Sequence, residues 1–114
     1  GHEPALVYEP RSGEFTELRG RGGLPLGVLE DAAYEEDQRE LAPGQIIAIG
    51  TDGIWEACNA QGSMFGKRLL EKAIRDHAER PSTEIVQRVL EALQQFLFPL
   101  DLQDDATLVV VKME

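Results

Sequence analysis

Two acidic turns, far apart in the chain, contain the residues best suited to chemistry. The first turn, Thr51-Asp52-Gly53, follows the apolar run Ile46–Gly50, and the second, Asp104-Asp105, precedes the apolar residues 106–113. A carboxylate at the end of a buried strand is held rigidly, and two adjacent strands can direct their acids at one cation. Hard divalent ions such as Mg²⁺ and Mn²⁺ prefer oxygen ligands of this kind. The pattern therefore indicates a divalent-cation site formed by two separate parts of the chain.

The residues of the two turns would serve such a site in different ways. Asp52 and Asp104 would bind the cation directly. Gly53 is grouped with these metal-binding residues because a residue without a side chain lets the backbone approach closely. Thr51 and Asp105 could hold the ligands in place by hydrogen bonds, as the outer neighbours of metal ligands do. Two firm carboxylates are few, so this chain alone should bind a divalent ion weakly.

Each turn also has a plainer structural interpretation. Asp-Gly is a frequent turn pair, so Asp52-Gly53 by itself would more often be a structural turn. By itself, Asp104-Asp105 would more often be a solvated pair of acids at the start of the last strand. Taken together, each beside an apolar run, the two turns favour a metal site. Elsewhere, His77 is expected to be a partly buried packing residue of a helix. Cys58 is expected to be inert, because no His or second Cys lies nearby in the sequence to activate it.

Hydrophobic periodicity predicts a mixed order of strands and helices. The predicted strands are residues 5–9, 15–19, 34–41, 46–50 and 106–113, the first two forming a hairpin around a turn at residues 10–14. The predicted helices are residues 67–79 and 83–98, and residues 54–66 are expected to be irregular or to hold one short helical turn. Ser82 is the expected N-cap of the second helix, and Pro99 is expected to end it. The run 46–50 is apolar almost throughout, so both of its faces should be covered.

This order of elements predicts an α+β fold with two helices packed on one face of a mainly antiparallel sheet. Both residues 46–50 and residues 106–113 are apolar enough to form central strands, so we expect these two strands to pair. That pairing would bring Asp52 and Asp104 to one edge of the sheet.

Composition limits the class of partner. The chain has 114 residues, enough for one domain, and a formal net charge of −10. That charge argues against a nucleic-acid or anionic-membrane surface, because both need clustered Lys and Arg. The single cysteine excludes an intrachain disulfide and suits a reducing compartment. No apolar run approaches the roughly 20 residues of a membrane span. We therefore expect a cytoplasmic protein in which this segment makes no membrane contact.

Several short motifs, in their order and spacing, resemble the metal-dependent serine/threonine phosphatases of the PPM class (PP2C-like). The resemblance is strongest to the bacterial RsbU/SpoIIE-like branch and spans essentially the whole chain. The motifs that carry it are Gly1-His2-Glu3-Pro4, Leu24-Pro25-Leu26-Gly27, Leu41-Ala42-Pro43-Gly44-Gln45, Thr51-Asp52-Gly53-Ile54-Trp55-Glu56-Ala57, Gln61-Gly62 with Phe65-Gly66, and Asp104-Asp105-Ala106-Thr107.

The resemblance implies an αββα sandwich, a pair of sheets flanked by helices, with two Mn²⁺ or Mg²⁺ ions held by aspartates. Asp52 matches the bridging or second-metal aspartate of the family's Thr-Asp-Gly motif. Asp104 matches the metal aspartate of the late acidic pair. Asp105 stands where relatives often have Asn, so the resemblance implies that it orients the site rather than binding metal.

The resemblance also implies that a part of the family's domain is missing. The chain starts near the midpoint of that domain, and the early Asp-x-x-Gly motif, whose aspartate bridges both metals, is absent. We therefore interpret residues 1–114 as the C-terminal portion of a phosphatase domain, a partial sandwich. In this chain alone, metal binding should be weak or absent.

The leading hypothesis from the sequence is a fragment of a protein serine/threonine phosphatase that is inactive in isolation. The resemblance implies a phosphorylated anti-sigma-factor antagonist as substrate, within bacterial partner-switching signalling. One alternative is a non-catalytic regulatory or interaction module that kept the phosphatase scaffold, and another is an unrelated acidic domain that binds one cation. An apolar surface left open in a fragment could also support a homodimer.

Overall fold

A four-stranded antiparallel sheet organises the chain. The computed structural model describes residues 5–18, 41–102 and 105–114. Its strands are β1 (Ala5–Glu9), β2 (Glu14–Leu18), β3 (Ile46–Gly50) and β4 (Leu108–Lys112). Their order across the sheet is β2-β1-β3-β4, and every neighbouring pair is antiparallel. The predicted pairing of the two most apolar strands, β3 with β4, is therefore confirmed.

The predicted hairpin is formed by β1 and β2. Its turn is closed by the amide of Gly13, which donates to the carbonyl of Glu9 at 2.8 Å. Gly13 has a φ of +71°, a conformation that suits a residue without a side chain. The predicted strand at residues 34–41 lies, apart from Leu41, outside the described residues.

In the part of the chain that the structure describes, three helices lie between β3 and β4. They are α1 (Asp52–Trp55), α2 (Gly66–Asp76) and α3 (Ser82–Leu97), with α3 packed against both α2 and β4. The short α1 begins two residues before the segment 54–66, for which at most one helical turn is predicted, and includes its first two residues. The α+β class is confirmed. The core between the sheet and the helices is made by Leu6, Tyr8, Ile46, Ala48, Ile54, Trp55, Phe65, Leu70, Ile74, Ile85, Val89, Leu93 and Leu97, among others.

Two expected helix boundaries were wrong. The helix α2 ends at Asp76 rather than residue 79, because His77 leaves helical geometry with a φ of −121°. The carbonyls of Ala78 and Arg80 instead accept hydrogen bonds from Lys112 Nζ, at 2.9 and 3.0 Å. The N-cap of α3 is Pro81 and not Ser82. Pro81 is extended, and its carbonyl accepts the first helical hydrogen bonds, which is the role of an N-cap residue.

The expectation that both faces of β3 are covered was also wrong. The face that contacts the helices is buried, as at Ile46 and Ala48. On the opposite face, Ile49 is 45% exposed, and Val109 and Val111 of β4 are 48% and 43% exposed. The reason is the alternation of side chains along a strand, since the described helices lie on one side of the sheet only. We call Ile49, Val109 and Val111 the open sheet face.

Within the described residues, none of the helices combines the length and apolar character needed to cross a membrane.

Candidate metal site

The two acid-bearing loops meet at the end of the β3–β4 pair. The last paired residues are Gly50 and Leu108. One residue further, the amide of Thr51 donates to the carbonyl of Thr107 at 3.1 Å. In return, the amide of Thr107 donates to the hydroxyl Oγ1 of Thr51 at 3.0 Å. These two bonds join the loop after β3 directly to the loop before β4.

A close backbone contact continues this junction at Gly53. A methyl group placed on Gly53 would overlap the carbonyl oxygen of Asp105 and would lie 3.0 Å from the carbonyl carbon. It would also lie 3.5 Å from Cα of Ala106. Gly53 is itself buried. The absence of a side chain at Gly53 is thus what allows the two loops to touch.

The helix α1 anchors the first loop to the core. Its buried residues Ile54 and Trp55 lie beneath the turn, and the Trp55 ring packs against Gly50. Asp52 begins the helix, and its carbonyl accepts a hydrogen bond from the amide of Glu56 at 2.9 Å. Lys67 Nζ lies 5.2 Å from the centroid of the Trp55 ring, within the range of a cation–π contact. The Asp52 side chain, in contrast, is exposed at the surface.

The structure brings together four of the five predicted site residues. Thr51, Asp52 and Gly53 lie on one loop, and the backbone of Asp105 lies against Gly53 from the other loop, with the Asp105 side chain exposed. The fifth, Asp104, lies outside the described residues. The described parts of the chain hold no group of three or more His, Cys, Asp or Glu able to bind a metal ion.

The donor set in these loops fits a hard divalent cation in its chemistry. Carboxylate oxygens at a rigid strand end are the ligands that Mg²⁺ and Mn²⁺ prefer, and the junction holds the Asp52 loop against Asp105. The ligand roles of Asp52, Gly53 and Asp104, and the supporting roles of Thr51 and Asp105, remain predictions.

Sequence reasoning missed the part played by Thr107. Its backbone amide donates a hydrogen bond to Thr51, whereas the sequence indicates only that Thr107 ends the Asp-Asp-Ala-Thr motif. The signal was available, because pairing Gly50 with Leu108 puts Thr51 opposite Thr107. The Trp55–Lys67 contact was missed as well, since no periodicity links a helical turn to a residue twelve positions later. His77 is partly buried as expected, and its Nδ1 lies 2.9 Å from the carbonyl of Ala73.

The sequence also identifies the family to which the chain belongs. The chain matches the family of Stage II sporulation protein E (SpoIIE) over residues 1–114. It belongs to the SpoIIE family, the phosphatase branch that its motifs resemble. The phosphoserine phosphatase RsbU of Bacillus subtilis (strain 168) is 30% identical over 112 residues, which are 98% of this chain and 32% of RsbU. The chain therefore spans about a third of the length of that relative.

Solved structures show the same fold. The SiaA-PP2C domain of Pseudomonas aeruginosa superposes with a TM-score of 0.74 at 24% identity, over 97% of this chain and 43% of that one. The phosphatase domain of the cell fate determinant SpoIIE from Bacillus subtilis, in a structure presoaked with Mn, gives a TM-score of 0.68 at 16% identity. That match covers 100% of this chain and 48% of the SpoIIE domain.

Proposed function

We propose that this chain is part of a metal-dependent phosphatase that removes phosphate from phosphoserine or phosphothreonine of a protein. The observation that carries the proposal is the junction between the Thr51–Gly53 loop and the loop at Asp105, in a chain of the SpoIIE family. This junction would set two acidic loops beside one cation. The name of the relative RsbU, a phosphoserine phosphatase, supports the same reaction.

The chain's own residues would hold and orient the ions. Asp52 and Asp104 would bind Mn²⁺ or Mg²⁺, two ions being expected in the complete domain. Gly53 keeps the loops in contact, and Thr51 and Asp105 would steady the ligands. Bound ions of this kind stabilise the attacking and leaving oxygens of a phosphoryl group and make a bound water more acidic. They would also let a protein with a net charge of −10 accept an anionic phosphate.

We further propose that residues 1–114 form the C-terminal portion of a larger catalytic domain. The solved relatives support a partial domain, because the chain covers only 43% and 48% of them, and the family resemblance implies the C-terminal part. Asp52 and Asp104 alone are also few carboxylate ligands for two divalent ions. The 114-residue chain alone should therefore bind divalent ions weakly and show no measurable turnover.

The finer parts of the proposal concern partners. A phosphorylated anti-sigma-factor antagonist is the substrate that the family resemblance favours, in a cytoplasmic signalling pathway. The open sheet face, with Ile49 and Val109 about half exposed, supports a homodimer of the isolated chain. Sedimentation equilibrium of that chain would measure its association. A chain that is monomeric at all concentrations would refute the homodimer proposal.

The proposed reaction is tested with the complete protein, Mn²⁺ and a phosphoserine-containing protein substrate. Asp52→Asn and Asp104→Asn should each abolish Mn²⁺-dependent phosphate release, because each removes a charged ligand. The matched control is Asp76→Asn, the same change at an exposed position on α2. The hydrogen bond from Lys72, with Nζ 2.6 Å from Oδ2, lowers the pKa of Asp76 below its ordinary value, so this variant also loses a negative charge at neutral pH. Its turnover should match the wild-type rate.

The outcomes separate the proposal from its alternatives. Unchanged turnover in both Asp52→Asn and Asp104→Asn would refute the proposed metal-dependent phosphatase mechanism. No turnover in the wild-type complete protein, with partner binding retained, would favour the non-catalytic interaction module. Clear turnover by the 114-residue chain alone would contradict the proposal that the site needs a further part of the domain.

A further inference from the structure

The end of the β3–β4 ladder contains an unusual exchange of hydrogen-bond acceptors at Thr51. In an antiparallel pair, directly opposed residues either exchange two main-chain hydrogen bonds or form none, and the two kinds alternate. Thr51 faces Thr107 one step beyond the last pair, Gly50 with Leu108. Only one of the two expected main-chain bonds is present, from the Thr51 amide to the Thr107 carbonyl. The return bond goes to the Thr51 hydroxyl instead of its carbonyl.

The Thr51 carbonyl, which accepts no hydrogen bond from Thr107, has a different partner. It accepts a hydrogen bond from the amide of Ile54 at 3.1 Å and so starts α1. Thr51 occupies the N-cap position of this helix, yet its side chain makes no capping hydrogen bond there. A threonine at that position normally uses its hydroxyl to cap the helix. Here the hydroxyl replaces the lost carbonyl as acceptor for Thr107.

Because the Thr51 hydroxyl replaces the Thr51 carbonyl as acceptor, the chain can turn into α1 at Asp52 while Thr107 stays hydrogen-bonded to Thr51. Without the hydroxyl, starting the helix would leave the Thr107 amide with no acceptor on Thr51. The second loop would then be tied at this point by one main-chain bond only. The contact of Gly53 with Asp105 lies two residues further along the first loop, so the hydroxyl acts at the base of the junction.

We propose that the Thr51 hydroxyl is a positioning group that fixes the separation of the two acid-bearing loops. The inference rests on the proposed function, because the acids on these loops are its metal ligands. Thr51 would not touch metal or substrate. It would act through the Thr107 backbone, holding the loop at Asp105 at the distance that the Asp52 loop requires. This role differs from direct support of a ligand carboxylate, which the sequence suggested for Thr51.

The test compares side chains of nearly equal size in the complete protein. Thr51→Val keeps the branched shape and removes the acceptor, whereas Thr51→Ser keeps the acceptor. Thr83→Val, an exposed position in the first turn of α3, is the matched control. Mn²⁺ binding is measured by electron paramagnetic resonance of the free ion, using Mn²⁺ alone as the probe. Amide hydrogen exchange at Thr107 reports the hydrogen bond itself.

We expect Thr51→Val to weaken Mn²⁺ binding by about tenfold or more, in the range found for outer partners of metal ligands. Thr51→Ser should restore binding to within about threefold of wild type, and Thr83→Val should leave it unchanged. Exchange of the Thr107 amide should accelerate in Thr51→Val only. The melting temperature should change little, because Thr107 is exposed and water can satisfy its amide.

Wild-type Mn²⁺ affinity in Thr51→Val would overturn the inference, as would equal losses in the Val and Ser variants. Failure of the proposed function has a different signature. A wild-type protein that binds Mn²⁺ but releases no phosphate would refute the phosphatase reaction alone, and the Thr51 comparison would still decide the positioning role. A wild-type protein that binds no Mn²⁺ would refute both.

Discussion

At the scale of single residues, the proposed site should depend on Gly53 as much as on its acids. The two loops touch through backbone atoms there, so even one added methyl group has no room. Gly53→Ala should push the Asp105 carbonyl away and lower the free energy of unfolding by about 1–3 kcal/mol, as overpacking does. It should also weaken Mn²⁺ binding by the complete protein, because the acid-bearing loops would separate.

Thermal unfolding and Mn²⁺ titration of the same variant check this expectation. Asp52→Asn is the useful comparison, since it removes a proposed ligand without adding volume and should reduce metal binding with little loss of stability. If Gly53→Ala unfolds and binds Mn²⁺ like the wild-type protein, the close contact with Asp105 is not a constraint on the site.

At the scale of secondary-structure elements, α3 is the main support of the sheet. Its residues Ile85, Val89, Leu93 and Leu97 recur at helical spacing and are buried against the core. Leu93→Ala should destabilise the protein by about 2–5 kcal/mol, the usual cost of a cavity in a core. Leu90→Ala is the matched control on the same helix. Because Leu90 is 41% exposed, that change should cost less than about 1 kcal/mol.

Urea denaturation of the two leucine variants measures both values. Equal losses would mean that α3 does not pack through the face containing Leu93. Neither leucine belongs to the Thr51–Gly53 loop or to the loop at Asp105, so we expect turnover per folded molecule of the complete protein to be similar in the two variants.

The elements also show how far sequence patterns determine structure. The stripe of α3 was predictable because a 3.6-residue period specifies one buried face. The apolar run of β3 did not specify how many faces are covered, since apolar residues on both sides are compatible with either state. The N-cap of α3 was misplaced by one residue because Pro81 and Ser82 are adjacent and both are common at helix starts. At Thr51, the exchange of acceptors required the strand register, which the sequence supplied only as the expected pairing of β3 with β4.

At the scale of the whole molecule, the open sheet face and the candidate site belong to the same two strands. Ile49 and Val109 lie on β3 and β4, which run directly into the loops of Asp52 and Asp105. A segment that covered this face would therefore lie beside the candidate metal site. The solved relatives, more than twice as long as the matched region, are consistent with such a cover.

The most direct test asks whether the two loops serve one ion. The number of Mn²⁺ ions bound per complete protein is measured for the wild type, Asp52→Asn, Asp104→Asn and the double variant. If both acids hold the same ion, each single change removes it and the double change removes no more, a non-additive result. Loss of separate ions in the two single variants, with both lost in the double variant, would contradict a shared site at the β3–β4 junction.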